Sequence, residues 1–128
     1  MSESKTATFV FKLYEIYDGH RDSFLWLLED FNVRTYDEYE EKYGGASRER
    51  YHFVSVCGFF ELSGVFVNRG LVNAGFYFEV FNPTPFWNKA RPIIYGMRKK
   101  RPHIYENFEL LNEKRMIWAN RRRSKVRV

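Results

Sequence analysis

Glu61 is the single charged residue in "FVSVCGFFELSGVFV", Phe53 to Val67, and Cys57 stands four residues before it, one helical turn away. A carboxyl in apolar surroundings holds its proton more tightly than in water. Glu61 with Cys57 beside it therefore has the makings of a general acid or base. The other reading is structural. An unpaired charge cannot stay in a core without either taking up a proton or finding a partner. Arg98, at the basic end of a later helix, is the first candidate for an ion pair with Glu61 that fixes helix register. The pair takes precedence, because structural ion pairs perturb carboxyl groups as readily as catalytic ones do. Cys57 by itself reads as a small core residue.

Other templates for chemistry fail on spacing. "YGGAS", Tyr43 to Ser47, has too few glycines for a phosphate loop and no lysine after it. "DEYEE", Asp37 to Glu41, lacks the spacing and the glycine of a calcium loop. His20, His52, His103 and one thiol give no zinc pattern, and the histidines are expected at helix ends or on the surface. Neither a metal nor a cofactor is expected.

The strongest functional feature is basic. Arg121, Arg122, Arg123, Lys125 and Arg127 lie in the last eight residues, behind Lys114, Arg115 and Trp118, and Arg98–Arg101 form a second cluster. Up to Asn88 the chain has eight Lys/Arg against thirteen Asp/Glu; from Lys89 onward it has thirteen against three. Such asymmetry points to an anionic partner, to docking of the tail on the body, or to solubility alone. With no helix-turn-helix signature, nucleic-acid binding would be nonspecific. An anionic membrane surface is the rival partner.

Seven helices are needed to position these groups. Thr8–Tyr17 has an apolar face and ends at Gly19; Asp22–Phe31 follows. "TYDE" is a capping box, with Thr35 and Glu38 reciprocal, that starts a helix to Tyr43. Ser47–Arg69 reads as one long helix with Gly70 as its C-terminal stop. Asn73–Phe81 is short. Thr84 is the expected cap of Pro85–Lys100, which Pro92 should bend. His103–Arg121 closes the set, with Glu106 and Glu109 early and Lys114, Arg115 and Arg121 late, as the helix dipole favours. Apolar residues fall on every side of Ser47–Arg69, so it is expected to be central and surrounded. Glu61 shares a line with Val54, Cys57, Val65 and Asn68. Gly58 and Gly64 lie about 60° to either side of that line, where another backbone can come close or a small recess is left.

A chain of 128 residues can bury enough surface to fold as one domain without staples. Its single cysteine excludes an intrachain disulfide. The run from Phe53 to Val67 is shorter than the ~20 apolar residues of a membrane span, and the N-terminus lacks the basic and apolar regions of a secretory signal.

From Cys57 to Glu113 the sequence resembles a family of small prokaryotic helical proteins classed as a domain of unknown function. The shared features are an aromatic-aromatic-Glu helix, an "RGL" turn (Arg69 to Leu71), a Trp before a Pro-containing helix that ends in Arg, and a "YENFE" helix (Tyr105 to Glu109). The resemblance implies an all-helical fold, is compatible with a Glu61–Arg98 pair, and implies no activity. The expected protein is therefore all-α: a single-domain helical bundle over residues 1–120 with a long central helix, and a basic tail over 121–128. It would be a binding or assembly protein of the cytoplasm, free or peripheral to a membrane, meeting nonspecific nucleic acid or an anionic membrane surface, and a protein partner or a second copy. The alternative is a small enzyme using Glu61 and Cys57.

Overall fold

Side-chain caps decide where the middle helices begin in the computed structural model, which describes residues 3–126. Thr35 accepts from the Glu38 amide at 3.1 Å and starts α3, Tyr36–Lys42. Ser47 accepts from the Arg50 amide at 3.1 Å and starts α4, Arg48–Asn68. Asn73 accepts from the Phe76 amide at 2.9 Å and starts α5, Ala74–Val80. Each satisfies an amide that the first helical turn leaves without a partner. Gly70, at φ 73°, supplies the left-handed residue that lets the chain leave α4.

Two helices precede these, α1 (Glu3–Gly19) and α2 (Arg21–Glu29), and two follow, α6 (Thr84–Met97) and α7 (Glu106–Val126). The described residues form no strand. Thr84 does not cap α6. It lies inside the helix and its hydroxyl donates to Asn112 Oδ1 of α7 at 2.6 Å, while Asn82 Oδ1 takes the Thr84 amide at 3.1 Å. The helix runs through Pro92 and stops at Met97, three residues short of the expected end.

The long helix α4 is central, packing most extensively on α7 and then on α2. Its rings form the middle of the core. Phe24 of α2 stands edge-on to Phe59 and Phe60, with centroids 5.4 and 5.8 Å away, and to Phe86 of α6 at 5.4 Å. Phe60 stacks on Phe108 of α7 at 5.1 Å. Such edge-to-face and offset contacts add to the burial of large apolar rings. One expectation needs correction: α4 is not surrounded. Tyr51, Val54 and Leu62 remain 57%, 49% and 40% exposed.

Helix α3 reaches α6 through a missing side chain. A Cβ on Gly96 would lie far inside the contact distance of Tyr36 Cβ, so the two helices touch only because residue 96 has none. Gly96→Ala should force α3 away from α6 and lower stability by about 2–3 kcal/mol. A urea melt followed by circular dichroism measures this, and an unchanged midpoint would show that the α3–α6 contact adapts.

Candidate functional site

The chain before α7 offers that helix no cap. Positions 103–105 are His, Ile and Tyr, none of them a favoured capping residue, and Tyr105 stands in the left-handed region at φ 59°. One backbone amide of the first turn of α7, that of Phe108, is met from another helix. Glu61 of α4 accepts the Phe108 amide on Oε1 at 3.0 Å and the Asn107 side-chain amide on Oε2 at 2.9 Å. Two further residues of α4 complete the seat. Asn68 donates to both the backbone and the side-chain oxygen of Asn107 at 3.2 Å. Gly64 faces the Asn107 carbonyl so closely that a Cβ would overlap it.

The expected Glu61–Arg98 pair is not formed. Arg98, at the end of α6, donates to Glu109 of α7 at 2.6 Å and to the Ile104 carbonyl at 3.0 Å. Glu61 instead finds its compensation in the positive end of a helix, where a carboxylate is stabilised by both hydrogen bonds and the aligned peptide dipoles. Arg98 and Glu61 thus serve the same turn of α7 from two sides. Asn107 and Glu109 are the site residues that sequence reasoning missed. Glu109 reads from the sequence only as a dipole partner, and which cation it meets depends on how α6 is laid beside α7.

Around Cys57 the fold keeps weak acids protonated. Burial pushes the thiol well up, and the Glu61 charge adds to the effect. Burial likewise raises Tyr39 to about 12, against the lowering influence of Arg50, whose guanidinium lies 4.8 Å above the Tyr39 ring. Tyr105 is raised by burial first, then by the charges that Cys57 and Tyr39 would carry. A thiol held in this way is a poor nucleophile. Neither Glu61 nor Cys57 lines the recesses beside Asn32, Lys89, Asn73, Tyr14 or Gly45. His52 also departs from expectation. It is half-buried within α4, 2.7 Å from the Ser23 hydroxyl.

The two basic clusters have different surroundings. Arg98 is engaged as described, and Lys100 helps to hold the Glu40 carboxyl down, after the larger effects of Tyr36 and Arg50. The C-terminal cluster faces solvent. Helix α7 continues to Val126, so the expected division between residues 1–120 and a tail at 121–128 falls inside a helix. Arg121, Arg122, Arg123 and Lys125 are exposed on it. Arg122 lies 4.8 Å over the Trp118 ring and reaches Glu79 at 3.4 Å. Among the described residues no carboxylate pairs with Arg121, Arg123 or Lys125. Arg127 lies outside the described residues.

A family model described as "Domain of unknown function (DUF4760)" matches residues 3–115. No curated protein and no solved structure matches the chain.

Two outcomes follow from this geometry. Glu61→Gln keeps an acceptor for the Phe108 amide and should cost only about 1 kcal/mol. Glu61→Ala leaves two donors unmet and should cost about 2–3 kcal/mol. Equal losses in denaturant melts would remove the capping role. The second concerns pH. The Cys57 and tyrosine shifts are upward, so the folded state keeps protons that the unfolded chain gives up above about pH 9 for the thiol and about pH 10 for tyrosine. Stability is full below those values and declines as pH rises, through about 12 for Tyr39. The Tyr39 hydroxyl is buried without a partner. Tyr39→Phe should therefore leave stability at neutral pH unchanged or higher and flatten the decline above pH 10, as measured by melts across the alkaline range.

Proposed function

The chain belongs to the DUF4760 family, and we propose that it is a non-catalytic binding module whose basic α7 terminus holds polyanions by charge. The observation that carries this reading is the exposure of Arg121, Arg123 and Lys125, without acidic partners, on a helix whose other end is built into the core. A helix rooted in this way presents its charges without the ordering cost that a disordered tail pays on binding. At 100° per residue Arg121 and Lys125 share one side of the helix and Arg123 points to the other. They suit a backbone of phosphates or a layer of headgroups better than a set of base edges.

Glu61 and Cys57 support the same side of the argument. Both oxygens of Glu61 are engaged by α7, and Cys57 is fully buried with its proton held.

With about four phosphates neutralised, affinity for duplex DNA should fall by roughly 100-fold between 50 and 200 mM salt. Replacing Arg121, Arg123 and Lys125 together by Ala should abolish most of that affinity while the melting temperature stays the same. Fluorescence anisotropy with DNA and flotation with anionic vesicles tell the two polyanions apart. Binding to neither at low salt would refute the proposal.

A further inference from the structure

Five aromatic rings line a recess of about 240 Å³ near the end of α1. Tyr14 and Tyr17 come from α1, Phe81 from just past α5, Phe86 from α6 and Phe60 from α4. Phe60, Phe81 and Phe86 are buried, whereas Tyr14 is 42% exposed. The recess thus leads from solvent to a ring of the central helix.

Three of the rings form a nearly equilateral triangle. Tyr14, Tyr17 and Phe81 have centroids 6.0, 6.3 and 5.7 Å apart, so a cation seated over the middle comes within about 6 Å of all three, the reach of a cation–π contact. Interplanar angles of 35°, 36° and 61° keep the three from closing into a stack. Phe60 and Phe86, in contact with each other at 5.1 Å, supply the remaining apolar wall. The charge along the lining segments has one sign. Tyr14–Gly19 and Glu79–Trp87, which carry four of the five rings, hold Glu15, Asp18 and Glu79 and no base. Arg21 and Arg122 reach these segments from outside, and they are occupied by Asp18 and Glu79. Tyr17 stands in the last turn of α1, which has no base, so the negative pole of that helix adds to the same sign.

We propose that this recess is an aromatic cage for a quaternary ammonium group, the trimethylammonium of a choline-like ligand. Such a cation has no N–H to satisfy, so rings suffice where a primary ammonium would need acceptors. Its charge is spread over apolar methyl groups, and it enters an apolar recess at less desolvation cost than a compact ammonium does. An uncharged group of the same shape would gain from burial, but nothing from the ring faces or from the negative pole of α1. The recess holds one such group and is smaller than the roughly 300–1,000 Å³ of pockets for drug-sized ligands. Binding is therefore weak, with a dissociation constant in the millimolar range. It does not depend on the polyanion reading, since none of the five rings belongs to α7.

Choline titrated into the full chain and followed by proton NMR tests this, beside its uncharged isostere in which a tert-butyl group replaces trimethylammonium. The N-methyl signal should move upfield as the group settles over ring faces, and the isostere should bind about fivefold more weakly or worse. Tyr14→Leu keeps an apolar wall but removes a ring face; it should weaken choline binding about fivefold, while Tyr14→Phe should bind as the wild type does. The comparison of choline with its isostere needs no variant, so it decides the matter even if Tyr14→Leu fails to fold. Free choline and phosphatidylcholine vesicles form two arms: capture of either supports the cage and identifies the source of the group. No binding of choline at tens of millimolar and none to the vesicles, an isostere that binds as tightly as choline, or a folded Tyr14→Leu that binds choline as the wild type does would each overturn the proposal.

Discussion

The start of α7 is a helix end without a cap of its own, and the arrangement of the bundle answers that need. Unmet amides at a buried helix end are costly. Glu61 is the acceptor that meets the Phe108 amide, and it comes from the helix alongside. Gly64 follows, because a side chain at 64 would hold α7 too far away for Glu61 to reach. Arg98 follows as well: by holding the Ile104 carbonyl and Glu109 together it sets the last loop against the first turn of the helix that loop leads into. Phe108, one of the amide donors, is thereby placed against Phe60 and against Trp87, 5.0 Å away. The polar contact and the aromatic core are thus in register at one residue.

Much of this was legible in the sequence where the signal was local. Thr35, Ser47 and Asn73 each begin a helix as their residue types and the following turns suggest, and the glycine beside Glu61 that admits another backbone, Gly64, is used in that way. Gly58, on the other flank, is left open. What could not be read was pairing between elements distant in the chain. A buried glutamate demands compensation, and a nearby arginine is the obvious partner; that a helix terminus serves equally well depends on where α7 is laid. The same holds for the outer face of α4. Its apolar residues run all round the helix, as in a fully enclosed one, yet the structure leaves the Tyr51–Leu62 side bare, and periodicity alone cannot distinguish enclosure by the same chain from an open face.

The charge asymmetry along the chain becomes an asymmetry in space. Arg98 pairs with Glu109 of its own half and Lys100 acts on Glu40 of the acidic half, so these bases are partly balanced within the fold. Among the described residues the cluster at the end of α7 has only Glu79, through Arg122, to balance it. Two groups of bases that look alike in the sequence therefore differ in how much field they present to solvent.

Helix α7 contains no glycine or proline between Glu106 and Val126, and at 1.5 Å per residue it is a rod about 30 Å long. Mechanically it is a lever. Its root is clamped between Glu61 and Arg98, Tyr105 is the backbone joint just before that clamp, and its load is carried at the arginines. A load taken up at Arg123 meets first the contacts with α5, Trp118 against Phe78 and Arg122 with Glu79, which act as a fulcrum, so the hydrogen bonds that seat the helix on α4 feel it only beyond that point.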